Sequence, residues 1–365
     1  MSLKRCWRWL VPFGFVCLIV RTVPACTSFV LDHTDGHMLA ANLDWPTGEG
    51  IVVVNKRGFF KKAVTDPAGP YDPARWTSRY GSVTFNIYGI DWPWGGMNEA
   101  GLAGVALMLP QAQYPPPGRQ PSIFVLQWLQ YQLDNFATVH AVLDQVAKLP
   151  IRPTSKGKGT HFFLCDRSGD AAIVEFIDGR LLVYHGERLP VPVMANDPYG
   201  ASLAYLKRFV GFGGDLPIQK TNLAQDRFVR AADGIAAFRK VDPMAPVEAA
   251  CDILDRVAYR SHRRTFTQWQ VVFDIHNDRI YYRTRRHRHR REIDMAAFDF
   301  ACTDPIRMRD IDSDDGPTAN GFEAYTYDRN RMRVEAFFRP HPLKPKEYEA
   351  RVDRITRYPD SFECR

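Results

Sequence analysis

Cys26 is the first residue to weigh, because of what flanks it. Before it, Lys4, Arg5 and Arg8 make a basic start, Trp9 to Val20 is an apolar run of 12 residues, and Val23 and Ala25 put small residues where a signal peptidase reads. That run falls short of the roughly 20 residues that span a bilayer. The expectation is a removable export signal over 1–25, with cleavage after Ala25 making Cys26 the new N-terminus. An N-terminal cysteine carries a thiol and a free α-amine on neighbouring atoms. The amine, with an ordinary pKa of about 7.7–8.0, can serve as general base for its own side chain, a known route to amide hydrolysis. No distant histidine is required. Two other readings compete: half of a disulfide, or the lipid-bearing cysteine of an anchored binding protein. Pro24 and the modest match of Val23-Pro24-Ala25-Cys26 to a lipoprotein signal weigh against the second. A lipidated sulfur could not act as a nucleophile.

The elements that must position this cysteine begin at once. Thr27–Leu31 reads as a strand, Asp35-Gly36 as a tight turn and 37–44 as the returning strand. Such a hairpin brings Asn42 and Asp44 back beside Cys26. Asp44 could then hold the α-amine, although a strand-end turn residue is the plainer reading. Further strands are expected at 51–54, 82–87, 103–109, 161–164, 171–177, 180–184, 267–275 and 279–283, several joined by Asp-Gly or similar turn signals. Gly95–Leu102 is expected to be a turn, 64–80 a surface loop, and 110–121, with five prolines, a loop at the cleft rim. Helical spacing appears at 123–134, 228–238 and 246–257, and Thr138 is placed to cap another helix through Val146. After Asp304 the tail reads as polar and irregular, apart from a strand at 334–338. Strands in hairpins and helices in pairs argue for an α+β fold with antiparallel sheets and helices layered outside.

Composition narrows the function. The formal net charge is +7, but Lys4, Arg5, Arg8 and Arg21 supply four of those charges and 1–25 contains no acid, so the chain from Cys26 carries only +3. That balance does not suit a nucleic-acid binder. The one basic run, six arginines from Arg283 to Arg291, reads better as a solvated strand end than as a polyanion patch. Cys165, Cys251, Cys302 and Cys364 lack C-x-x-C spacing, so no metal site is expected, and their disulfide pairing stays open.

Several stretches, taken in order, resemble the choloylglycine hydrolase family, which includes bile salt hydrolases and penicillin V acylases. They are Cys26-Thr27-Ser28, Asn42-Leu43-Asp44, Gly96-Met97-Asn98-Glu99-Ala100-Gly101-Leu102, Asn196-Asp197-Pro198, Asp226-Arg227-Phe228, Thr267-Gln268-Trp269 and Phe273-Asp274. The resemblance implies the N-terminal nucleophile hydrolase fold, four layers αββα, and hydrolysis of linear amide C–N bonds without cofactor or metal. It implies Cys26 as nucleophile, Asp44 steadying the α-amine, Asn196 as the oxyanion side chain and Arg227 as a cation favouring thiolate. Met108 falls where relatives place asparagine or tyrosine, and its backbone N–H is the candidate second oxyanion donor. In two places the chain departs from the family: Ala41 stands where an arginine usually precedes the asparagine, and Met108 replaces a polar side chain.

The resulting expectation is one amidase domain over 26–365, strongest in resemblance over 26–303, with 304–365 as a C-terminal extension. The enzyme would be exported by a bacterium to the periplasm or beyond, with no stable membrane insertion after signal cleavage. Its expected partner is a small N-acyl amide: penicillin V, an N-acyl-homoserine lactone, a conjugated bile acid or an N-acyl amino acid. Phe29, Trp45 and Met108 are candidate pocket walls. Nucleic acid is not an expected partner, and homo-oligomerisation is left open.

Overall fold

Strand β1 (Thr27–His33) and strand β2 (Gly36–Trp45) form the expected hairpin, in a register that sets Thr27 opposite Asn42 and His33 opposite Gly36. Gly36 is required at the turn: its φ is +148°, and a Cβ there would meet His276 Cβ at 2.5 Å. The structure is a computed structural model that describes residues 26–64, 72–116, 118, 120–154, 159–239, 245–260, 266–313, 321–339 and 345–365. The expected signal segment lies outside those residues.

The hairpin sits inside a six-stranded sheet whose order is 193–194, β1, β2, 266–274, 279–284 and 291–294. A second sheet of nine strands runs in the order 180–185, 171–177, 160–165, 103–108, 93–98, 82–86, 51–55, 307–310 and 323–324. Both are antiparallel throughout. They stack face to face through a core in which the Phe85 ring meets Phe273 and Tyr282 at centroid distances of 6.0 and 5.4 Å. Helices Ala224–Phe238 and Pro246–Arg256 cover the outer face of the six-stranded sheet, and Trp128–Asn135 covers the nine-stranded one. The layers are helix, sheet, sheet, helix: the α+β, αββα fold expected of N-terminal nucleophile hydrolases.

The Gly96–Leu102 motif is structural. Asn98 donates to the carbonyls of Leu133 and Phe136 at 2.8 and 2.7 Å while its Oδ1 accepts from Leu102 N at 2.9 Å, which fastens the turn to the helix beneath.

Local expectations fail where packing overrides propensity. Pro93–Asn98 is a strand, with the turn only after it. Its glycines serve close packing, since a Cβ on Gly96 would meet Thr84 Cγ2 at 2.6 Å. The loop expected over 64–80 contains the strand Arg75–Thr77. At 123–134 the chain is extended at Ile123–Phe124, where it pairs in parallel with Ile151–Arg152, and the α-helix starts only at Trp128. Tyr199–Leu206 is a helix that the sequence reading missed.

The largest correction is the tail, which holds helices Tyr327–Phe338 and Pro345–Arg357 in place of an irregular segment with a strand at 334–338. Thr326 caps the first by accepting from Arg329 N at 3.3 Å. Glu363–Cys364 pairs with Phe59–Lys62, and Cys302 is disulfide-bonded to Cys364 with Cα atoms 5.5 Å apart. Cys26, Cys165 and Cys251 are free thiols. Among the described residues no helix is long and apolar enough to cross a membrane, and no His/Cys/Asp/Glu cluster could hold a metal.

Candidate active site

Arg227 organises the site. It lies in the first turn of helix Ala224–Phe238, and its guanidinium is fully buried. Nη1 donates to the Cys26 carbonyl at 2.8 Å, to the Thr27 hydroxyl oxygen, and to Asp44 Oδ2 at 3.4 Å. Nη2 donates to Asn196 Oδ1 at 3.3 Å and Nε to the Asn222 carbonyl at 3.3 Å. One rigid fork thus joins the start of β1, the end of β2 and the turn after strand 193–194. Thr267, opposite Asp44 in the sheet, donates its hydroxyl to Asp44 Oδ1 at 2.5 Å and accepts from Tyr259 N at 2.9 Å. Three of the four residues proposed as catalytic therefore converge on the fourth.

Cys26 is only 3% exposed. Burial, with the Asp44 carboxylate adding to it, pushes its thiol up to about 12, against the lowering influence of the Asp44 backbone N–H, Arg227 and the Trp94 indole. A thiol so placed is protonated at neutral pH and must give its proton to a base as it attacks. Burial raises Asp44 to about 7, although Arg227 and Thr267 oppose this. Burial also lowers Arg227, opposed by Asp44 and Cys26. A pocket that leaves its own charges this poorly compensated is the usual mark of a functional site.

Asn196 and Met108 meet. Asn196 Nδ2 donates to the Met108 carbonyl at 2.6 Å, which leaves its second amide hydrogen for another acceptor. Leu109 N–H donates to the Gly159 carbonyl at 3.0 Å, so strand alternation turns the N–H and C=O of Met108 the other way, to the side where Asn196 stands. An N–H from Met108 and one from Asn196 can thus converge on one oxygen.

Asn42 does not reach the thiol. Its Nδ2 donates to the Leu254 carbonyl of the outer helix at 2.8 Å. Phe29 lines no open surface, since it is 0% exposed and shares with Thr27 the face away from Cys26. Trp45 is buried at the end of β2, and Met108 is half-buried. Sequence reading gave no role to Thr27, Thr267, Trp94 or Tyr88. The first two stand beside named residues in strands whose pairing was legible. Trp94 arrives from the other sheet and Tyr88 from the segment that precedes its strand, and only tertiary structure brings them in.

A cavity of about 530 Å³, lined by Pro46, Gly48, Glu49, Phe266, Gln268 and Arg285 among others, opens past the end of β2. Its lining does not include Cys26, Asp44, Asn196 or Arg227. Three of the six arginines of the basic run are ion-paired: Arg283 with Asp255, Arg286 with Glu49 and Asp312, and Arg290 with Glu248.

The αββα fold, with a buried cysteine at the head of β1, is the fold of the N-terminal nucleophile hydrolases. The chain belongs to the choloylglycine hydrolase family of linear amide C–N hydrolases, whose model matches residues 26–308. It is 36% identical over 228 residues to a penicillin V acylase of Pectobacterium atrosepticum, an alignment that covers 57% of this chain and 59% of that protein, less than two thirds of its length. The solved penicillin V acylase of Agrobacterium tumefaciens superposes with a TM-score of 0.71 at 29% identity, covering 82% of this chain and 98% of that one. A variant of the conjugated bile acid hydrolase of Clostridium perfringens shares the fold, with a TM-score of 0.66 at 20% identity over 81% of this chain and 99% of its own.

Proposed function

We propose that this protein is an exported bacterial amidase, periplasmic or secreted, that hydrolyses N-acyl compounds through Cys26 as its mature N-terminal residue. The observation that carries the reading is the single buried guanidinium of Arg227 on the Cys26 carbonyl, Asp44 and Asn196.

In this reading Cys26 Sγ attacks the acyl carbonyl carbon while the thiol proton passes to the α-amine. The oxyanion is held by the Met108 backbone N–H and the Asn196 amide. The protonated amine then gives its proton to the leaving nitrogen, the C–N bond breaks, and an acyl thioester remains. Water attacks that thioester under the same base, releasing the acid and restoring the thiol. Asp44 holds the ammonium form of the amine, and that added positive charge draws Asp44 itself down from about 7. Arg227 steadies Asp44 and Asn196 together.

Substrates pair an apolar acyl group with a small amine: penicillin V, N-acyl-homoserine lactones, conjugated bile acids or N-acyl amino acids. Of these, penicillin V and long-chain N-acyl-homoserine lactones are expected to be preferred, because Ala41 and Met108 stand where relatives carry polar groups. A lipid-anchored binding protein modified at Cys26 fits less well, since a sulfur 3% exposed has no room for a diacylglycerol.

The test is intact mass together with turnover. Exported protein should begin at Cys26 and hydrolyse penicillin V. A different first residue, or a lipid adduct, would sink the mechanism.

A further inference from the structure

One buried polar pair takes no part in the mechanism above. Glu175, on strand Ala171–Ile177, and His161, on strand Thr160–Cys165, are both 0% exposed, and Glu175 Oε1 pairs with His161 Nδ1 at 2.9 Å. The same carboxyl accepts from Tyr199 N, at 3.0 Å to Oε1 and 3.2 Å to Oε2. Tyr199 opens helix Tyr199–Leu206, whose N-cap is Pro198 with no side-chain hydrogen bond of its own. A carboxyl from another strand therefore caps the helix, at the end where the helix dipole favours it. Asn196 lies just before Tyr199, on the chain that leaves strand Val193–Met194 of the six-stranded sheet. Glu175 belongs to the nine-stranded sheet, so its bond to Tyr199 fixes that turn across the gap between the sheets.

The strand that carries His161 also governs the other donor. Thr160 is paired with Met108 and His161 with Leu107, and the Gly159 carbonyl accepts from Leu109 N at 3.0 Å. The Met108 backbone and, through His161 and Glu175, the Asn196 turn are thus referred to one short stretch, 159–161. On its far side the turn is held by Tyr199, whose hydroxyl donates to the Val191 carbonyl at 2.8 Å. The Tyr199 ring meets Phe228, the neighbour of Arg227, at a centroid distance of 6.0 Å. Burying an acid beside an imidazole gains little net stability over an apolar pair of the same size. What the pair gains here is geometry.

We propose that Glu175, held by His161, is a positioning residue that sets the Asn196 amide against Met108 to form the oxyanion site. The proposal rests on the oxyanion role given to Asn196 above. A donor displaced by about 1 Å can cost on the order of 10²-fold in rate, so the anchor of the turn matters to the reaction and not only to the fold.

The experiment measures kcat and KM on penicillin V, with a thermal melt beside each, for Glu175→Ala alone and combined with Asn196→Ala. Glu175→Ala should lower kcat about 10–10²-fold with KM within about twofold. Glu175→Gln, whose amide oxygen can still accept from Tyr199 N, should recover kcat to within about threefold of wild type. In the Asn196→Ala background the Glu175→Ala loss should shrink below about twofold, because no donor is left to position. If Glu175→Ala does not fold, Glu175→Met with His161→Leu takes its place: both partners become apolar at similar size, and Tyr199 N still loses its acceptor. An unchanged kcat, a loss confined to KM, no recovery in Glu175→Gln, or an equal loss in both backgrounds overturns the proposal. Asn196→Ala alone separates the two readings. Undiminished kcat there refutes the oxyanion role itself, whereas a fall of about 10²–10³-fold with an additive Glu175 loss refutes only the positioning.

Discussion

Two of the buried ionic groups among the described residues are neutralised to different degrees. Lys61 lies 2.7 Å from Asp91 and 2.9 Å from Asp134, and the carboxylates are completed by Trp76 Nε1 at 2.7 Å and Gln130 Nε2 at 2.8 Å on Asp134. Burial works against the Lys61 charge, but the two acids outweigh it and hold the ammonium above its ordinary range. Arg227 has one carboxylate, at 3.4 Å, and spends its other donors on neutral oxygens, so burial wins and lowers it. Closed pairing fastens structure: Tyr358 of the C-terminal extension donates to the Lys62 carbonyl beside the lysine cluster at 2.9 Å, and Lys61 lies over the Phe362 ring at 4.8 Å. Open pairing leaves charge to be answered by a substrate or a new amine. The difference teaches where to look for chemistry: burial is equal in the two groups, and compensation is not.

The sharpest way to break that contrast is at the thiol. Cys26→Ala should reduce hydrolysis to the uncatalysed background with the melting temperature nearly unchanged, as read from a turnover assay beside a thermal melt. The complementary change is Lys61→Met, which leaves two buried carboxylates without their cation. It should cost about 3–5 kcal/mol of stability while kcat, measured in the cold where the fold persists, stays near wild type. A large fall in kcat without loss of stability would assign the lysine cluster to the reaction.

Asn196→Ala tests the oxyanion geometry and should lower kcat about 10²–10³-fold, whereas an effect confined to KM would make Asn196 a binding residue. Cys302→Ser with Cys364→Ser opens a bridge spanning 62 residues. The loss should be about 2–4 kcal/mol, read in denaturant, with penicillin V turnover retained.

A further effect concerns pH. The Asp44 carboxyl is raised in the folded chain to about 7 from an ordinary 3.8. Its contribution to stability is therefore whole below pH 4 and is lost as pH rises to 7, because the folded state holds the proton longer. In a chain with residue 26 still in peptide linkage, Asp44→Asn should flatten the melting-temperature profile between pH 4 and 7. Protein with a free Cys26 amine should show the shallower slope even without the substitution. Identical profiles in all three would remove Asp44 from the electrostatic account.

What could be read along the chain was whatever short-range physics decides. The Asp35-Gly36 hairpin, the Thr138 cap on Ala141 N at 3.2 Å, and the helices carrying Arg227 and Leu254 all follow from turn chemistry, capping and periodicity. The C-terminal helices were legible too: Asn330, Val334, Phe337 and Phe338 recur at helical spacing behind Thr326, a pattern hidden by the β-forming look of Val334–Phe338 taken alone. Family motifs named Cys26, Asp44, Asn196 and Arg227 without saying how they touch. Tertiary structure decided the rest: that Cys302 pairs with Cys364, that Trp94 comes to the thiol from the opposite sheet, and that burial raises both thiol and carboxyl. These depend on which surfaces lose water when two sheets close on each other, and desolvation is a property of the assembled interior that no local run of residues carries.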